Sequence, residues 1–130
     1  MPTRYLGSGF VGQVLPAILY TVFVFVAGSL PASALPGPSG MGLDKIGHFF
    51  VFALMHVLFS RAARAQLPAQ SQTVRSLVAA LGALLVGGVL ELYQAALPYR
   101  SAEWLDWVAD LLGIAAAALI PVRWVVPSDP

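Results

Sequence analysis

Hydrophobic residues fall in four long runs, separated by short polar or turn-rich stretches. The first run, residues 10–30, holds 21 positions without a charge. At 1.5 Å per residue such a helix is about 31 Å long, enough to cross a hydrocarbon core of roughly 30 Å. A Pro- and Gly-rich stretch from Pro31 to Gly40 reads as a loop. The second run, residues 45–60, is shorter and carries His48 and His56; a polar segment over 61–75 follows, with Pro68 and three arginines. The third run, residues 76–97, holds Glu91 and Gln94 toward its end. After a tight Pro98-Tyr99-Arg100-Ser101 connection, the fourth run, residues 104–126, opens with Asp106 and Asp110 and is thereafter almost wholly apolar. This pattern predicts an all-α polytopic membrane protein, a single domain over residues 1–130 with four transmembrane helices in a small bundle.

Composition strengthens that reading. Only 10% of the residues are charged while 58% are hydrophobic, with mean hydropathy +0.80. A soluble domain carries about a quarter charged residues, so these few could not cover a soluble globule, and membrane lipid is the implied partner. A net charge of +1 and the absence of any Lys/Arg-rich run argue against nucleic acid. With no cysteine, disulfides, thiolate metal sites and cysteine nucleophiles are excluded. No cofactor and no resident metal are expected.

Arg4, the apolar run and Ala32-Ser33-Ala34 imitate a cleavable signal peptide. The uncharged stretch exceeds the usual apolar length of about 7–15 residues, so a retained first helix is expected; cleavage would leave three spans. With four spans, Arg4, Arg61, Arg64, Arg75 and Arg123 lie on one side, against Lys45 and Arg100 on the other. The excess of basic residues places both termini in the cytoplasm. Tyr99, Trp104 and Trp107 then fall at the outer interface, and Tyr5 and Trp124 at the inner one, where aromatic residues concentrate.

On this topology the polar residues gather. Asp44, Lys45 and His48 begin the second span at the outer face, Glu91 and Gln94 end the third, Arg100 and Glu103 occupy the connection, and Asp106 and Asp110 open the fourth. Helical spacing puts Ala79, Ala83, Gly87, Glu91 and Gln94 on one face, Asp106, Asp110, Gly113 and Ala117 on another, and Lys45, His48, Phe52 and His56 on a third. Small residues on such faces let helices approach. A charge at the centre of a span costs about 2.5–3.5 kcal/mol on insertion scales. Glu91 is therefore expected to pair, protonate or face a wet cavity, with Lys45, Arg100 and His48 as partners. Snorkelling at the interface accounts for Asp44, Lys45, Arg100 or Glu103 taken singly, and His56 reads as a hydrogen-bonded packing residue.

Asp44-Lys45-Ile46-Gly47-His48-Phe49, Glu91-Leu92-Tyr93-Gln94, Pro98-Tyr99-Arg100 and the Asp106–Gly113 stretch follow one another in an order that resembles the VanZ-like family. That family has an Asp-Lys-x-x-His-Phe element, a Glu-x-x-Gln element, a Pro-Gly-Arg element and an Asp-x-x-x-Asn-x-x-Gly element. The resemblance covers roughly residues 15–120. Two positions depart from it: Tyr99 stands where glycine is usual, and Asp110 where asparagine is usual, adding a negative charge. The resemblance implies a multi-pass protein of the bacterial cytoplasmic membrane and a link to teicoplanin resistance, without implying a mechanism.

Three functions compete. In the first, a polar site near the outer leaflet holds the headgroup of an envelope lipid, a lipid-linked precursor or a lipophilic glycopeptide. Its contacts come from Asp44, Lys45, His48, Glu91, Gln94, Arg100, Asp106 and Asp110. In the second, the same site is that of a hydrolase or transferase acting on a lipid-linked substrate, with His48, Glu91 and Asp106 as the catalytic candidates. A divalent ion on those three is a variant of it. In the third, the carboxylates and histidines relay protons in a transporter.

Overall fold

The computed structural model describes residues 10–34 and 41–120. Among these the fold is all-helical, with four α-helices: α1 (Leu15–Ser29), α2 (Met41–Gln66), α3 (Gln72–Ala95) and α4 (Trp104–Leu119). A π-helical turn, Phe10–Val14, leads into α1. Pro16 stands at the start of that helix, where its missing N–H is tolerated. Three stretches, Phe10–Ser29, Leu43–Gln66 and Gln72–Ala95, are long and apolar enough to cross a membrane.

The helix ends differ from the sequence expectation for local reasons. α2 does not stop at 60 but runs to Gln66, because Arg61-Ala62-Ala63-Arg64-Ala65-Gln66 are strong helix formers. It ends just before Leu67-Pro68, since a residue preceding proline is pushed out of the helical region. Arg75 secures this end, donating from Nε to Leu67 O at 2.9 Å and from Nη2 to Pro68 O at 2.5 Å. α3 starts at Gln72, not 76, because the Ser71 side chain accepts the Val74 N–H at 3.3 Å as an N-cap. α4 has 16 residues, about 24 Å at 1.5 Å per residue. The expected end of the fourth span at 126 lies outside the described residues, as do Arg4, Tyr5, Arg123 and Trp124.

Packing follows the predicted faces. Ala79, Ala83, Gly87 and Gln94 of α3 are buried, as are Asp106, Asp110, Gly113 and Ala117 of α4 and Phe52 and His56 of α2. Val24, Phe52, Met55, Ala83, Leu90 and Ile114 form the central apolar cluster. Gly113 fits against α2 so closely that a Cβ there would land on the Phe49 carbonyl. α1 is held by Tyr20 OH donating to Val51 O at 2.9 Å, by Arg61 Nε donating to Gln13 Oε1 at 2.9 Å, and by Gly28 lying against Leu90 and Gln94.

The distribution of exposure is inverted relative to a water-soluble protein. Phe23, Phe50, Leu85 and Leu92 are 61, 65, 69 and 75% exposed, while Gln94 and Asp110 are 2% and 0%. Large apolar side chains facing out and small or polar ones facing in is the arrangement that lipid as solvent selects. The described residues are those of a membrane protein.

Candidate functional site

The site forms where the start of α2, the last turns of α3 and the start of α4 meet. Lys45, one turn into α2, donates to Glu103 Oε2 at 2.8 Å and to Asp106 Oδ1 at 2.6 Å. Glu103 is the N-cap residue of α4, but its carboxylate makes no capping bond; it reaches Lys45 instead. Asp106 lies in the first turn of α4, where the positive end of the helix favours an anion. One turn on from Lys45, His48 places Nδ1 2.8 Å from Asp110 Oδ1 and Nε2 3.7 Å from Asp106 Oδ2. Its ring lies parallel to that of Phe52, with centroids 6.5 Å apart.

Glu91 enters from α3. Donor atoms of His48, Glu91 and Asp110 all lie within 4.8 Å of one another, as do those of Asp44, His48 and Asp106. Gly87, one turn before Glu91, makes the room: a Cβ there would sit 2.9 Å from Asp110 Oδ2 and 3.2 Å from Phe52. Both oxygens of Glu91 and Oδ2 of Asp110 are buried without a hydrogen-bond partner among the described residues. Five carboxylates, those of Asp44, Glu91, Glu103, Asp106 and Asp110, thus surround one ammonium and one imidazole. For the buried Asp106 and Asp110 and the half-buried Glu91 that imbalance is expensive.

Six of the eight candidate residues therefore come together: Asp44, Lys45, His48, Glu91, Asp106 and Asp110. The other two do not join the carboxylates. Gln94 Nε2 donates to Gly28 O at 3.2 Å, and Arg100 Nη1 donates to Leu30 O at 3.3 Å. Between them Tyr99 OH donates to Ser29 O at 2.6 Å, and Ser29 Oγ lies 2.9 Å from Tyr93 OH. These side chains satisfy carbonyls at the C-terminal end of α1, which the helix itself leaves without partners. None of Lys45, Arg100 and His48 bonds to Glu91, so all three of its expected partners are occupied elsewhere. Sequence reasoning kept Glu103 at the interface rather than in the site. Its signal was the three-residue step to Asp106, which puts the two acids on one side of the turn.

His56 lies deeper, 3% exposed, with Nε2 3.3 Å from Ser60 Oγ and 3.5 Å from Ser76 Oγ. It ties α2 to α3 and stands apart from the carboxylates. The arrangement as a whole can hold a cation, bind a hydroxyl-rich or amine-bearing group through its carboxylates, and use Lys45 on an anion. No protein-family model, no curated protein and no solved structure matches this chain.

Proposed function

We propose that the chain is a four-span membrane protein of the VanZ-like type, in the bacterial cytoplasmic membrane with both termini inside. In this reading it binds the headgroup of an envelope lipid, a lipid-linked precursor or a lipophilic glycopeptide at the outer leaflet, which is the link to glycopeptide resistance. The observation that carries the reading is a buried, polar, incompletely satisfied cluster at one end of a bundle whose outer surface is apolar. A lipid lying against those helices brings its headgroup to that level. Lys45 takes the anionic group, and Glu91 and Asp110, whose buried oxygens have no partner, accept hydrogen bonds from hydroxyls or amines.

The test is purification in mild detergent followed by native mass spectrometry. Lipid adducts with anionic, polar headgroups are expected on the wild-type protein and lost from Lys45→Ala and from Glu91→Ala. Adducts unchanged in both variants would sink the reading. A second reading, a membrane hydrolase or transferase, draws on the 2.8 Å contact between His48 Nδ1 and Asp110 Oδ1, which orients the imidazole as a general base is oriented. It requires turnover of a lipid-linked substrate that disappears in His48→Ala.

A further inference from the structure

We propose that His48, Glu91 and Asp110 form a binding site for a divalent first-row transition ion, Zn2+ or Mn2+. The proposal revises the expectation of no resident metal, and it deepens the headgroup reading of the same cluster, on which only its last step rests.

Three observations converge. Donor atoms of His48, Glu91 and Asp110 lie within 4.8 Å of one another. A tetrahedron of ligands at about 2.1 Å from an ion has edges of roughly 3.4 Å, so loading shortens the longest of these separations by about 1.4 Å at most and widens the 2.8 Å contact between His48 and Asp110. They come from three different helices, which fixes the approach directions independently. Asp110 is 0% exposed, and its Oδ2 lies toward α3, 2.9 Å from where a Cβ on Gly87 would sit, without a partner. Such an atom demands an explanation, of which an ion is one.

The alternative is a proton. Lys45 donates to Asp106 and Glu103 at 2.6 and 2.8 Å and bonds neither Glu91 nor Asp110 Oδ2. A proton shared between Glu91 and Asp110 would pair two of the three unpartnered oxygens but remove only one of the surplus negative charges. A dication takes one donor atom from each of the three residues and offsets the surplus of carboxylates by two charges. An ion entering between His48 and Asp110 takes the place of the proton in their 2.8 Å hydrogen bond, so binding weakens as pH falls.

The donor set selects the metal. One imidazole and two carboxylates suit Zn2+ or Mn2+; Mg2+ prefers oxygen and water, and no thiolate is present to favour Cu(I). Three protein ligands leave at least one open position. In the headgroup reading that position takes a phosphate oxygen of the bound lipid, next to Lys45.

The test is titration of the full-length, EDTA-stripped protein in detergent with ZnCl2 and with MnCl2, read by calorimetry and elemental analysis. About one equivalent per chain is expected, with the Glu91→Gln/Asp110→Asn double variant weakened at least about 100-fold. His56→Gln, away from the cluster, is expected to stay within about threefold of wild type. Less than about 0.1 equivalent on the wild type overturns the proposal, as does unchanged affinity in the double variant. Because that variant can fail to fold, Co2+ is bound to the wild type as a second measurement. Visible bands of a four- or five-coordinate ion support the site, and the bands of aqueous Co2+ refute it. Lipid adducts are measured with and without metal on the same samples. Metal uptake without adducts supports the ion site and removes the headgroup reading, whereas adducts on a protein that takes up no metal do the reverse.

Discussion

Lys45 holds the outer half of the charge cluster, and its neighbours differ in how much water they see. Its own side chain is 24% exposed, Asp106 7% and Glu103 42%. Removing one member of a buried pair costs about 3–5 kcal/mol, because the other charge is stranded. Partial exposure lowers this, so Lys45→Met is expected to destabilise the protein by about 1–3 kcal/mol. Glu103→Gln leaves Lys45 paired with Asp106 and is expected to cost less than about 1 kcal/mol. Thermal unfolding in detergent followed by circular dichroism distinguishes the two; equal shifts would show that Lys45 does not depend on Asp106. Lys45, His48, Glu91, Asp106 and Asp110 were legible in the sequence, since spacings of three and four along α2, α3 and α4 put them on inward faces, whereas Asp44 is exposed and Glu103 precedes its helix. The roles of Gln94 and Arg100 were not legible. Which carbonyl a long side chain reaches depends on how α1 leans on α3, and no pattern within α3 encodes that.

At the scale of the helix, small residues set the crossing distances. Lipid offers no hydrophobic drive to bring helices together, so close packing has to do it. α2 and α4 touch through Gly113, where a Cβ would collide with the Phe49 carbonyl, and backbone cannot swing aside as a side chain can. Gly113→Ala is therefore expected to cost about 3 kcal/mol or more and to open the site by separating Asp110 from His48. Gly47 is the contrast. It lies within α2 with nothing within 4 Å of a Cβ, so Gly47→Ala is expected to stabilise by about 0.5–1 kcal/mol through helix propensity alone. Parallel melting curves check both, and a neutral Gly113→Ala would mean that the α2–α4 contact is not built on this approach. The stripe of small residues pointed to these contacts from sequence. The helix ends are harder: charge at Arg61 and Arg64 marks the edge of the hydrophobic run, whereas helix propensity carries α2 on to the turn before Pro68.

At the scale of the whole molecule, the exposed apolar faces fix the solvent as lipid but are silent on which way the bundle points. Direction rests on arginines, and the structure gives Arg75 and Arg61, on the arginine-rich side, second occupations. Arg75 closes the end of α2, and Arg61 bonds Gln13 beside the start of α1. A basic residue recruited for structure still resists translocation, so the positive-inside argument survives the reassignment. The absence of cysteine makes the orientation directly measurable, because any introduced thiol is the sole one. Gln70 and Ser101 are exposed residues in the connections at opposite ends of α3. With a membrane-impermeant maleimide, Ser101→Cys is expected to label in intact cells, and Gln70→Cys only after the membrane is opened. The reverse pattern would move the Lys45–Asp110 cluster to the cytoplasmic face. It would exclude an externally supplied glycopeptide as ligand while leaving the ion site intact, because the donor geometry of His48, Glu91 and Asp110 does not depend on which leaflet lies beside it.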